Sequence, residues 1–231
     1  MTHGPCEWHS VPMDALRGRW RADCSALARG APAPTVDDVG HDLLSRWHEP
    51  HRHYHDARHL SEVLTAIDTL CAADSVGGRS HSVAALAGWF HDAVYEVRPG
   101  APNEAESAAL AARQLARLGV DPELTARVVA VVLDTASHDL SPAEAADPAR
   151  VVVHDADLWV LAAPVARFDE YCAQVREEYA HVPAPLYASA RAEVLRPFLM
   201  REHVYRTPHA LVQWEPSARE NLARELTRLA A

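Results

Sequence analysis

The segment Gly88–Tyr95 reads Gly-Trp-Phe-His-Asp-Ala-Val-Tyr, and it places His91 and Asp92 inside an apolar run. An imidazole and a carboxylate in a core helix are costly to bury unless another group pairs with them. A bound divalent cation is the usual partner, because it neutralises the carboxylate and accepts the imidazole lone pair. A helix with one salt-bridged aspartate at a surface edge explains the same pattern, so the interpretation depends on the rest of the chain.

The composition predicts an all-helical protein. The chain has 231 residues, of which 48% are apolar, so it can build a sizeable core. Ala, Leu, Arg and Glu dominate, and no run of alternating apolar and polar residues indicates a strand. We therefore expect one all-α domain, a bundle of about ten helices over residues 1–231. Its metal-site core is expected at about 50–162, with C-terminal helices over 164–231 packed on it.

Apolar spacing and helix-start signals predict the boundaries of the helices that carry the polar clusters. The predicted helices span about 55–73, 82–97 and 148–162. The last of these is apolar almost all round apart from Asp155 and Asp157, which indicates a buried helix.

Several classes of partner are disfavoured by charge and composition. The net charge is −10 with histidine neutral, and no basic block is present, so a nucleic acid polymer is not an expected partner. The four cysteines form no Cys-x-x-Cys pair, which indicates neither a zinc knuckle nor a disulfide scaffold. No signal peptide or membrane-spanning segment is predicted, so we expect a cytoplasmic protein with no membrane partner. The oligomeric state stays open.

Three polar clusters recur on successive predicted helices. His55 and His59 are four residues apart and share one helix face, and the pair in Gly88–Tyr95 follows. Asp155 and Asp157 lie in the third cluster, where no lysine is near. Together the clusters supply two or three imidazoles and at least two carboxylates, a set typical of a divalent metal site.

The order of these motifs resembles the HD superfamily of metal-dependent phosphohydrolases, and in detail a bacterial group of predicted HD-domain phosphohydrolases. The matching segments are 52–59, 89–95, 103–108, 155–158, 176–179 and 215–222. The resemblance implies an all-α bundle with one divalent metal ion among its central helices. Its implied ligands are His59, His91, Asp92 and Asp157. The metal is Mn, Mg, Co, Fe, Ni or Zn, with its identity open.

The resemblance also implies the reaction, which is hydrolysis of a small phosphate ester by a metal-activated water. A nucleotide is one option for this small phosphorylated substrate. Two alternatives stay open at this point. One is an HD-type iron oxygenase with two irons, and the other is a non-catalytic metal-containing module that senses a ligand. All four ligand positions are intact, which disfavours a degenerate sensor.

Further candidates surround the implied ligands. For catalysis they are Asp92, His55, Asp155 and His138, and for substrate binding they are Arg52, His53, Arg176 and Tyr179. Most have a structural alternative, such as a surface charge, a helix cap or an arginine–glutamate pair. Residues two apart on a helix point about 200° away from each other. Asp155 and Asp157 therefore cannot face one ion alike, and the Ala-Asp-Leu pattern selects Asp157.

One metal ion, rather than two, is expected. Two-metal relatives carry a further histidine where this chain has Asn103-Glu104, and a neutral amide is a poor ligand for a transition metal. Between Asp92 and Asp157 only His138 and His154 remain as additional imidazoles. A mononuclear site favours activation of water over dioxygen chemistry.

Overall fold

The computed structural model describes residues 13–98 and 100–231, and within these ranges the chain is all-α without a strand. The predicted fold class is thereby confirmed. The α-helices of the described residues are α1 (Met13–Leu27), α2 (Ala33–Arg46), α3 (Ala57–Ala73), α4 (Gly78–Phe90), α5 (Asn103–Arg117), α6 (Pro122–Asp134), α7 (Pro148–Asp157), α8 (Val165–Glu178), α9 (Ala184–Met200), α10 (Pro208–Gln213) and α11 (Glu215–Leu229). Short 3-10 turns cover Glu144–Ala146 and Leu158–Ala162. None of the helices in these ranges combines the length and apolarity needed to cross a bilayer.

Helix α4 lies at the centre of the bundle, in contact with α1, α3, α5, α6 and α7. Its residues from Val83 to Phe90 are all buried, as expected for a helix enclosed on every side. Gly88 permits the close approach of α3, because a Cβ at this position would lie 2.9 Å from Cδ1 of Ile67. The tight packing brings the end of α4, where His91 follows, against α3.

The C-terminal helices share the same hydrophobic core, which runs from Leu16 to Leu222. Helix α11 packs on α9 and on the Leu158–Ala162 turn. The Asn221 amide of α11 donates to the carbonyl oxygens of Leu161 and Ala163, both at 2.9 Å. These bonds fix the last helix directly beyond α7, the helix that carries Asp157.

Two predicted helices are shorter in the structure. The helix predicted over 82–97 ends at Phe90, so the prediction that it continues to Val97 is wrong. Side chains of α5 bind the backbone here instead: Ser107 Oγ accepts from Val94 N at 3.0 Å, and Asn103 Oδ1 accepts from Glu96 N at 3.0 Å. The helix predicted to Ala162 ends as an α-helix at Asp157.

Candidate metal centre and adjoining cavity

Four of the predicted ligand residues converge on one point. His59 lies in the first turn of α3, His91 and Asp92 form the turn after α4, and Asp157 ends α7. His59 Nε2 lies 3.1 Å from His91 Nε2 and 3.3 Å from Asp157 Oδ1. Asp92 Oδ2 lies 3.3 Å from His91 Nε2 and 3.7 Å from His59 Nε2. The His59, His91 and Asp157 group is close enough to hold one metal ion.

The donor atoms of this cluster fit a divalent cation. Metal–ligand bonds of about 2.0–2.2 Å place neighbouring donors roughly 3–3.5 Å apart, close to the distances observed. His91 Nδ1 lies 2.9 Å from the Gly88 carbonyl oxygen, so Nδ1 carries the proton and the Nε2 lone pair points into the cluster. Among the described residues, no arginine pairs with Asp92 or Asp157. A cation is the chemically suitable partner for these lone pairs and carboxylates.

The shifted pKa values of the side chains in this cluster also indicate that it favours a positive charge. Burial opposes a charge on His91, but the Asp92 and Asp157 carboxylates outweigh it and raise the pKa of His91 well above 6.5. Burial likewise opposes ionisation of Asp157, but His91 and His59 hold the pKa of this carboxyl well below 3.8. The two carboxylates therefore stay ionised and attract a cation, whether a proton or a metal.

Arg52 holds two segments of the site together. Its guanidinium donates to the carbonyl oxygens of His55 (3.0 Å), Asp92 (2.7 Å) and Ala93 (3.2 Å). The buried side chain also lies over the ring of Trp47, 5.4 Å from its centroid. The predicted substrate contact is not supported by this placement, because the donors of Arg52 are bound to the backbone that carries Asp92.

Glu178, at the end of α8, organises the segment that leads into α3. Its Oε1 accepts from the backbone N–H groups of His53 (2.9 Å), Tyr54 (2.8 Å) and His55 (3.0 Å). Its Oε2 lies 2.8 Å from His55 Nδ1 and accepts from Tyr95 Oη at 2.8 Å. Burial alone raises a carboxyl pKa, but the charge and hydrogen bonds of His55 lower the pKa of Glu178 to about 2.

Asp155 lies outside the cluster and stabilises the segment before α10. Its carboxylate accepts from Arg206 N (3.0 Å), Thr207 N (2.7 Å) and Thr207 Oγ1 (2.7 Å), and it lies 2.8 Å from His154 Nδ1. His154 Nε2 is 3.2 Å from the carbonyl oxygen of His138. The structure therefore does not bring Asp155 to the reacting region, although the sequence placed it among the catalytic candidates.

His138 lies beside the cluster, with Nε2 3.4 Å from Asp157 Oδ2. Its φ of 49° places it in the left-handed region, and Arg201 Nη1 donates to its carbonyl oxygen at 2.7 Å. Burial outweighs the attraction of Asp157 and lowers the pKa of His138 to about 4. Near neutral pH its imidazole is therefore uncharged, and it can hold or accept a single proton.

The other predicted substrate contacts divide into two kinds. Arg176 donates to the carbonyl oxygens of Tyr179 (2.5 Å) and Val182 (3.0 Å), and it closes the end of α8. His53 Nδ1 lies 3.6 Å from an oxygen of Glu177 at the surface. Neither Arg176 nor His53 lines the cavity described next, whereas Tyr179 does.

A cavity of about 400 Å³ adjoins the cluster of predicted metal ligands, here called the metal cluster, and reaches Asp92, Asp157, His138 and His55. Its far wall comes from the residues around α8 and α9, among them Tyr171, Tyr179, Tyr187 and Arg191, and Tyr54 lies between this wall and His59. Arg191 was missed by the sequence reasoning. The sequence offers no signal that separates it from Arg196 on the same helix, because both stand among alanines and aliphatic residues.

Neither a protein-family model nor a curated protein matches this chain in the comparisons made with it. The resemblance to the HD superfamily therefore stays a prediction. The geometry of the cluster and the cavity carries the functional argument.

Proposed function

We propose that the protein is a metal-dependent hydrolase of small phosphate esters. The observation that carries the proposal is the convergence of His59, His91, Asp92 and Asp157 at the cavity, with donor atoms 3.1 to 3.7 Å apart. The motif order that resembles HD phosphohydrolases supplies the reaction class.

A divalent cation held by these residues would supply Lewis-acid chemistry, which polarises a phosphoryl oxygen and lowers the pKa of water so that a nucleophile is available near neutral pH. The surrounding side chains complement that chemistry. His55 lines the cavity, and although burial opposes its charge, Glu178 raises its pKa and favours the imidazolium. A cationic His55 suits a phosphate dianion. Neutral His138 is placed to hold a proton at the cluster.

Two observations favour one metal ion over two. The Asn103 amide donates to the Glu96 carbonyl oxygen at 3.1 Å and accepts from its N–H at 3.0 Å, so it is occupied by backbone. Both ring nitrogens of His154 face oxygen atoms of Asp155 and His138. His55 also lies near the cluster, but its Nδ1 faces Glu178 Oε2 at 2.8 Å. Among the described residues, His138 is then the one further imidazole with a nitrogen close to a carboxylate of the cluster, too few for a tightly held second ion. This count supports hydrolysis over dioxygen activation.

The test is metal analysis combined with a substrate screen. Protein reconstituted with Mn²⁺, Co²⁺ or Fe²⁺ should saturate near one ion per chain. The loaded protein should release phosphate from members of a panel of nucleotides and sugar phosphates, and His91→Ala protein prepared alike should release none. Two tightly bound irons with substrate-dependent oxygen uptake would overturn the proposal in favour of the oxygenase. Stoichiometric metal without phosphate release from any ester would favour the sensing module.

A further inference from the structure

Unpartnered buried polar atoms are concentrated at the cavity. Among the described residues, the buried side-chain atoms without a hydrogen-bond partner are Tyr54 Oη, Thr125 Oγ1, His138 Nδ1 and Arg191 Nε. Tyr54, His138 and Arg191 all line the cavity beside the metal cluster. Buried polar atoms are nearly always hydrogen-bonded, so this concentration indicates a place where a polar ligand supplies partners after small side-chain adjustments.

Arg191 is a cation of this cavity whose charge no carboxylate neutralises in the described residues. Its Nη2 donates to Tyr171 Oη, and its guanidinium lies over the same ring, 5.1 Å from the centroid. By contrast, the buried Arg167 binds both carboxylate oxygens of Glu62 at 2.7 Å. A planar guanidinium without a carboxylate partner is suited to bind phosphate or carboxylate oxygens.

Aromatic rings form a continuous wall from the metal cluster toward Arg191. The Tyr54 ring centroid lies 4.7 Å from that of His59 and 4.5 Å from that of Tyr171. Tyr187, on α9 with Arg191, has its ring centroid 6.3 Å from that of Tyr179. Tyrosine rings offer apolar faces and polar ends, which suit a planar or apolar organic group that carries polar substituents.

We propose that this wall recognises the organic part of the substrate, with Arg191 as the residue that binds an anionic group. The substrate class is then a phosphate monoester of a planar or apolar alcohol, no larger than a mononucleotide in a cavity of about 400 Å³. The inference rests on the proposed function for the phosphoryl group at the metal cluster. The wall then selects among phosphate esters by their organic group, a selection that the metal ligands cannot provide.

The test measures binding of three non-hydrolysable probes, methylphosphonate, phenylphosphonate and 4-carboxyphenylphosphonate, by calorimetry on metal-loaded protein. The full chain should bind phenylphosphonate more tightly than methylphosphonate, and 4-carboxyphenylphosphonate, whose carboxylate can reach Arg191, more tightly than phenylphosphonate. Arg191→Gln should weaken 4-carboxyphenylphosphonate binding roughly 10- to 100-fold at unchanged metal content, as loss of a charge-assisted hydrogen bond does. Arg191→Lys, which keeps the charge but not the planar fork, should have an affinity between those of the parent protein and Arg191→Gln. Arg196→Gln, at an exposed position of the same helix, is the matched control and should bind like the parent protein.

The outcomes separate this inference from the proposed function. Parent affinity for 4-carboxyphenylphosphonate in both Arg191 variants, or no preference for phenylphosphonate over methylphosphonate, overturns the inference even if the protein releases phosphate from esters. Arg191-dependent binding of 4-carboxyphenylphosphonate with no phosphate release from any ester supports recognition by the wall and contradicts the hydrolase assignment. If Arg191→Gln does not fold, the Arg191→Lys protein and the comparison of the three probes still decide the question.

Discussion

The cavity has two ends that are built differently. At the metal end, α3, α4 and α7 meet, and α4 is enclosed by other helices on every side. At the wall end, α9 packs mainly on α11 and leaves Leu186 and Val194 exposed to solvent. The predicted ligands at the metal end face one another, whereas Arg191 in the wall keeps an unpartnered donor. The metal end is therefore fixed by packing, and the wall end has room to adjust.

The two ends should also differ in the free energy of local opening. A segment with fewer buried neighbours opens at a lower free energy than a central helix. Changes at the metal end should therefore remove function outright, while changes in the wall should alter affinity and local opening.

Replacing His91 with alanine should remove metal retention and hydrolysis together. His91 is fully buried and its Nε2 faces His59, Asp92 and Asp157. Changes next to metal ligands already cost roughly 10- to 100-fold in affinity, so loss of a ligand should exceed that. Metal content after gel filtration and phosphate release are the measurements, with circular dichroism as the folding control. Stoichiometric metal with full activity in this variant would refute the site.

Replacing the two aspartates near the end of α7 should have different effects, one on metal affinity and the other on the stability of the fold. Asp157→Asn should lose far more metal affinity than Asp155→Asn, because Asp157 faces both histidines of the cluster. Asp155→Asn should instead lower the free energy of unfolding by about 2–3 kcal/mol, since an amide replaces a buried carboxylate that accepts from Arg206 and Thr207. A metal titration and a denaturant titration on both variants give the comparison. The reverse order in either measurement would show that the register of α7 is wrong.

Glu178 connects the two ends, because it belongs to α8 and binds the backbone that leads into α3. Its pKa falls from the ordinary 4.5 to about 2, so the folded state holds its proton more weakly than the unfolded chain does. The resulting stability is fully present above about pH 4.5 and is lost as the pH falls toward 2. Glu178→Gln should therefore cost on the order of 2 kcal/mol at pH 7, and less as the pH falls below 4.5.

Denaturant titrations at pH 7, 5 and 4 measure the difference between the parent protein and Glu178→Gln. Glu177→Gln is the matched control, because Glu177 is the exposed neighbour on the same helix and should show little difference at any pH. A constant difference between parent and Glu178→Gln across this range would show that the carboxylate charge does not stabilise the fold.

The metal end could be predicted from the sequence because polar residues in apolar segments have few explanations. His91 and Asp157 stand out against the buried residues around them. Two-residue spacing showed that Asp155 and Asp157 face differently, and the resemblance to the HD superfamily selected Asp157. The wall could not be predicted, since tyrosines and aliphatic residues of α8 and α9 have the same pattern whether they fill a core or line a cavity. The backbone partners of Arg52 and Arg176 could not be predicted for a related reason: these carbonyl groups are brought together by backbone geometry, which residue spacing does not show.

The residue at which α4 ends could not be predicted from the sequence either. The residues after Phe90 continue an apolar pattern that favours helix, and the competing hydrogen bonds come from Ser107 and Asn103 on another helix. That early end moves His91 and Asp92 into a turn, where both side chains reach the cluster. Tertiary contacts thus compete with a helix that the local pattern alone would continue.

Two buried cysteines, one in α1 and one next to the wall, should differ modestly in how fast a thiol reagent labels them. Burial raises the pKa of Cys24 in α1 and of Cys172 in α8 to about 12, and both side chains are almost fully buried. Because the thiolate is the reactive form, neither should react with a thiol reagent at pH 8 until the chain around it opens. Cys172 lies close to Arg191 of α9 and Glu225 of α11, so opening of the wall exposes it.

In a Cys6→Ser background, mass spectrometry of labelled peptides should show Cys172 reacting roughly 3- to 10-fold faster than Cys24. Saturation with phenylphosphonate should narrow the difference, because a ligand that binds the closed wall stabilises it. Faster labelling of Cys24, or equal rates with and without the probe, would mean that the wall is as firmly packed as the metal end and that the contrast between them does not extend to dynamics.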